Sequence, residues 1–183
     1  MRFALPSAFL APLAATAFLA TTALAHGPTP QKVDQSIAIA AKPDAVWAVV
    51  GDFAGISNWH PDVAKSVGTG GNASGGRRTL TLKNGGTLDE GLDEWDAAKR
   101  SYSYRLGDAD LKALPVSSYS ATITVSPDGE GSKVEWLGRF YRGDTGNEPP
   151  EELSDAAGKD AMNLYFSNGL QGLKARLEGK TAR

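Results

Sequence analysis

The chain has 183 residues, with 19 basic and 21 acidic side chains, two histidines and no cysteine. A net charge of −2 argues against nucleic acid or an anionic membrane surface as the main partner. The lack of thiols excludes disulfides, thiolate metal sites and a cysteine nucleophile, so a packed apolar core has to hold the fold together.

Residues 1–25 read as a cleaved secretory signal. Met1 and Arg2 supply a positive start, Phe3 to Leu24 is almost wholly Ala, Leu, Phe and Thr, and Ala23-Leu24-Ala25 is a small-x-small cleavage sequence. Pro6 and Pro12 disfavour a transmembrane helix, so the mature form is expected to have no membrane span. Residues 26–32, HGPTPQK, lack apolar periodicity and read as a flexible arm. Residues 33–183 carry no repeat or low-complexity tract and suit one domain.

Val33, Ile37 and Ile39 predict a first strand. In KPDAVWAVVGDFAGISNWHPDV, which follows, Pro43 suits a first helical position and Asp44 the positive end of the helix dipole. Val46, Trp47, Val49, Val50 and Phe53 make one apolar helical face, while Gly51, Gly55 and Pro61 break the segment into two short helices. Six further strands are predicted over residues 66–69, 77–83, 87–95, 101–106, 117–125 and 133–142, separated by turn sequences such as GGNASGG, NGG and SPDGEGS. Leu80 and Leu82 share a face, as do Tyr102, Tyr104 and Leu106, then Tyr119, Ala121, Ile123 and Val125, then Val134, Trp136 and Phe140. Such alternation predicts an antiparallel sheet with one wet and one covered face.

The cover is the C-terminal stretch from about Pro149 to Gly179, where Leu153, Ala157, Ala161, Leu164, Tyr165, Leu170, Leu173 and Leu177 recur at helical spacing. Glu151 and Glu152 mark its expected start, and some 28 residues of helix would span about 42 Å. Gly158, Gly169 and Gly172 within it point either to close approach of another segment or to plain tolerance by a packed helix. The prediction is an α+β chain: a curved sheet of about seven strands wrapped around one long helix, with two short helices after the first strand. The glycine-rich loops lack the lysine and following helix of a phosphate-binding loop and read as turns.

The two-helix segment, the GGRRTLTLKNGGTLDEGLDEWDAAKRSYSYRL and SSYSATITVSPDGEGSKVEW blocks and the final helix together resemble the START-like or Bet v 1-like helix-grip superfamily, in its polyketide cyclase and dehydrase-like branch. The secretory leader, the HGPTPQKV start and the absence of cysteine resemble, within that branch, the MxaD proteins of bacterial methanol-oxidation gene clusters. That likeness implies a periplasmic accessory protein without activity of its own. Its implied partners are methanol dehydrogenase or the cytochrome c that accepts its electrons, with a small apolar ligand in a cavity and no cofactor. Two other readings stay open: a cyclase or dehydratase, and a carrier of a lipid or aromatic molecule in a pocket above about 300 Å³.

Glu90 shares strand parity with Leu88 and Leu92 and so points toward the covered side, where a carboxylate needs a partner. The resemblance implies that a glutamate opening such an E-x-L motif faces the cavity and organises polar ligand contacts. Arg78 shares parity with Leu80 and Leu82 and is the favoured partner over Lys83 and Arg105. His60, in NWHPDV, is a candidate acid or base at the cavity mouth, with Trp59 beside it as a gate or core aromatic. Catalysis would rest on Glu90 as base and His60 as acid. Tyr102, Tyr104, Tyr119, Trp136, Phe140, Tyr165 and Phe166 line the pocket or fill the core. A copper site from the His26 α-amine and imidazole with His60 is the one metal arrangement that two histidines permit, and an ordinary residue after a cleavage site is the plainer account.

Overall fold

Alternation of side chains along seven segments gives seven strands, and the computed structural model describes residues 27–179 of the chain. The predicted signal and His26 lie outside the described residues. In chain order the elements are β1 (Gln31–Ile39), α1 (Pro43–Val50), a 3-10 turn (Phe53–Asn58), β2 (Val63–Thr69), β3 (Arg77–Leu82), β4 (Thr87–Asp96), β5 (Ser101–Leu106), β6 (Val116–Asp128), β7 (Gly131–Arg142), a second 3-10 turn (Glu151–Leu153) and α2 (Asp155–Leu177).

The strands form one antiparallel sheet in the order β1-β7-β6-β5-β4-β3-β2. Its covered face carries Leu80, Leu88, Leu92, Tyr104, Ile123, Val134 and Trp136, all buried. Against it lies α2, which buries Met162, Tyr165, Phe166, Gly169, Leu170 and Leu173. Polar ties fix the crossing at the β1 edge, where Gln35 Nε2 donates to Asn163 Oδ1 at 2.9 Å and Lys174 Nζ to the Ala38 carbonyl at 2.6 Å. This is the predicted helix-grip architecture.

Several boundaries differ from the sequence expectation: β2 starts at Val63 rather than Ser66, β6 runs on to Asp128 and β7 starts at Gly131. Gln31 and Lys32 belong to β1, opposite Phe140 and Arg139, because the ladder with β7 supplies partners to backbone that the sequence left in the arm. The long helix starts at Asp155: Ser154 caps it by accepting from the Ala157 N–H, and Glu151 and Glu152 lie in the preceding turn. Its 23 residues span about 34 Å.

The helix glycines mark close approach. A Cβ on Gly169 would stand 2.6 Å from Trp136, and one on Gly172 would collide with the Trp59 carbonyl oxygen. So α2 presses on the segment that follows the 3-10 turn. No described helix is long and apolar enough to cross a membrane.

Candidate functional site: a buried ion pair in an aromatic shell

Strand register places the central pair. Arg78 on β3 lies directly opposite Glu90 on β4, both pointing to the covered face, and neither side chain is exposed. Arg78 Nε donates to Glu90 Oε2, and the Tyr119 hydroxyl, from β6, donates to Oε1. Arg78 Nη1 donates to the Phe53 carbonyl at the start of the 3-10 turn. The guanidinium also sits 4.0 Å from the centroid of the Phe53 ring and 4.9 Å from that of Tyr104, both within cation–π range. The sequence shows Phe53 only as part of an apolar helical face. Its carbonyl is exposed to Arg78 because the helix breaks at Gly51.

Burial opposes the charge on Arg78, but Glu90 and the Tyr102 and Tyr104 phenols outweigh it, so its pKa stands above the ordinary arginine value. Burial pushes Tyr102 up to about 12, against the lowering effect of Arg78. Burial, reinforced by the Glu90 charge, holds Tyr104, Tyr119 and Tyr165 well above the usual phenol range. All four therefore stay protonated near neutrality.

A second group joins the first through Trp136. Its indole N–H donates to the Tyr104 hydroxyl at 3.0 Å, while its ring stacks on Phe166 with centroids 4.2 Å apart and meets His60 and Tyr165 at 5.9 and 6.0 Å. Every candidate pocket residue except Phe140 thus meets in one continuous cluster, Trp59 joining through His60 and Trp136, and Tyr102 through Tyr104. Phe140 packs elsewhere, beside Gly158 near the start of α2. Lys83 is exposed, and Arg105 is exposed on the outer face, paired with Asp93 at 2.8 Å.

His60 differs from expectation. With Trp59 it lines an open groove of about 480 Å³ beside Gly172 and Arg176, yet it is 2 % exposed, its ring centroid 4.2 Å from that of Tyr165. Nε2 lies 3.0 Å from the Tyr165 carbonyl, which can only accept, so Nε2 carries the proton; Nδ1 accepts from the Asp62 N–H at 3.2 Å. Burial pushes its pKa down to about 4, despite the opposing pull of Asp62 and the Tyr165 carbonyl. A neutral imidazole with both nitrogens engaged is neither an available acid near pH 7 nor a free copper ligand. Among the described residues, no group of three His, Asp or Glu side chains could hold a metal ion.

Four buried polar atoms in this region lack a hydrogen bond of good geometry: the Tyr165 hydroxyl and Trp59 Nε1, and Arg78 Nη2 with the Tyr102 hydroxyl, the last lying close enough to Arg78 for a hydrogen bond between them to lower its pKa. Each is a donor. Tyr165 also lines a cavity of about 270 Å³ between the β3–β4 hairpin, the loop before β6 and α2, whose wall includes Leu82, Ala113, Leu114 and Leu164. That lies slightly below the roughly 300 Å³ of a small-molecule pocket. Asp62, Lys83 and Asn84 also belong to the cavity wall, so Tyr165 is shared between a small, partly polar cavity and the buried aromatic cluster.

Sheet, helix and buried cluster together define a Bet v 1-like, helix-grip protein of the ligand-binding kind. The chain belongs to the polyketide cyclase / dehydrase and lipid transport family, whose sequence profile matches residues 30–178. It is similar to the protein XoxI from Bacillus cereus, with 28% identity over 80% of this chain and 95% of that one, at a TM-score of 0.67. A protein from Thermobifida fusca is 26% identical over 81% and 94% of the two chains, at a TM-score of 0.63. Norcoclaurine synthase from Thalictrum flavum, solved with dopamine and hydroxybenzaldehyde, is 15% identical over 86% and 91%, at a TM-score of 0.63, and shares the fold alone. No curated protein matches the chain.

Proposed function

We propose that this chain is a non-catalytic binding protein that holds a small, mostly apolar molecule against the Arg78–Glu90–Tyr119 cluster. The observation that carries the reading is a fully buried ion pair surrounded by donors that lack a hydrogen bond of good geometry. Burying charge is costly, and a buried pair is seldom worth more to stability than apolar side chains of the same volume. Its retention fits a ligand bearing hydrogen-bond acceptors, which would satisfy donors left without good geometry in the protein alone. Binding fits better than turnover: each Glu90 oxygen already accepts a hydrogen bond, and His60 has neither a spare lone pair nor an acidic proton near neutral pH.

The wider role we propose is that of a periplasmic accessory protein that assists methanol oxidation at the step from methanol dehydrogenase to its cytochrome c. Support comes from the signal-like residues 1–25 and from the resemblance to the MxaD proteins. Deleting the gene should slow methanol-dependent reduction of the cytochrome, with recovery on adding the purified protein. An unchanged rate would remove this role and leave the binding reading standing.

A further inference from the structure

The sheet's outer face carries a line of charge that only the strand registers reveal. Lys32 on β1 faces Arg139 on β7, which faces Ser120 on β6; Ser120 faces Arg105 on β5, Arg105 faces Gly91 on β4, and Gly91 faces Arg77 on β3. Four cations therefore stand in one cross-strand row without an acid among them. Five strand spacings make it about 24 Å long. Lys32, Arg77, Arg105 and Arg139 are exposed, and only Arg105 has an ion-pair partner among the described residues. Beside the Lys32–Arg139–Ser120 end of the row lies a groove of about 400 Å³ whose wall includes Lys32, Arg139, Ser120, Asp34, Asp93 and Leu137, the last 44% exposed.

We propose that this row is the docking surface for an acidic segment of a partner protein, with an apolar side chain of that segment entering the groove beside Leu137. Charge complementarity argues for it, since a row of three unpaired cations on a chain of net charge −2 favours a partner whose carboxylates come to this face alone. Of the acids beside the row, Asp34 and Asp93 line the groove, Asp93 being taken by Arg105, while Asp89 accepts from the Thr79 hydroxyl. These acids repel a broad polyanion such as nucleic acid, and they require the segment's carboxylates to meet the cations of the row while only its apolar side chain enters the groove. The proposal depends on the accessory reading only for there being a protein partner at all.

Gly91 supplies the test. A Cβ there would meet nothing within 4 Å, so a side chain can be added in the middle of the row without disturbing the sheet. Binding of a fluorescein-labelled peptide built of Glu and Leu would be followed by anisotropy at low and moderate salt. Wild type and Gly91→Ala should bind alike and weaken as salt rises. Gly91→Glu, which neutralises the row from within, and the Lys32→Gln/Arg77→Gln/Arg139→Gln variant should each lose about tenfold or more in affinity. Equal binding by all four proteins, or no binding, overturns the proposal. So does tighter binding of single-stranded DNA than of the peptide, or a row-dependent dimer in light scattering. Methanol-dependent cytochrome reduction does not enter this assay, so failure here is separable from failure of the accessory reading.

Discussion

Arg78 and Glu90 show why a buried residue pair is best judged by two experiments. Glu90→Gln leaves the guanidinium uncompensated in the core and should cost about 3–5 kcal/mol in urea unfolding, whereas Arg78→Met/Glu90→Leu removes both charges and should be close to neutral or stabilising. A double variant as unstable as the single one would make the pair a structural necessity and weaken the binding account. His60 makes a separate prediction. Its folded pKa of about 4 lies below the ordinary 6.5, so the unfolded chain takes up a proton first and stability falls as pH drops from 6.5 toward 4. The loss should approach about 3 kcal/mol, and His60→Gln should flatten that part of the stability–pH profile. An unaltered slope in the variant would place the acid sensitivity elsewhere.

At the level of elements, β3 and β4 were the most legible part of the site. Period-two alternation put Arg78 with Leu80 and Leu82, and Glu90 with Leu88 and Leu92, so both inward directions could be read before the pairing was known. The pairing itself needs the register that the Asn84–Gly86 turn sets. His60 was illegible for the opposite reason. Its surroundings come from α2, more than a hundred residues away in sequence, and depend on Gly169 and Gly172 letting that helix approach. Their spacing gave a hint, as glycines that weaken a helix often serve packing. Gly172→Ala tests the packing. Helix propensity alone would favour alanine by about 1 kcal/mol, yet the collision with the Trp59 carbonyl should make the variant less stable by about 1–3 kcal/mol. A stabilised variant would show that the Trp59–His60 segment is loosely held. The helix start was misread because the acidic pair Glu151–Glu152 resembles a first turn, while the capping signal is the single hydroxyl of Ser154.

Across the whole molecule, the sheet has two chemically distinct faces that come from one alternating pattern. The inner face joins with α2 to enclose the aromatic cluster; the outer face aligns cations from strands remote in sequence. Composition concealed both features, since a nearly balanced charge total says nothing about where cations line up. Overall architecture was readable from periodicity and resemblance, because element type and order survive small errors at the boundaries. Ligand and partner were not, because one such fold carries many activities.

The most direct measurement is native mass spectrometry of the protein purified gently from the organism that makes it, beside the Arg78→Met/Glu90→Leu variant produced in the same cells. A small organic mass retained by the wild type and absent from the folded variant is the expected result. A bare chain in both, or the same mass on both, would contradict the assignment of the buried cluster as the binding site.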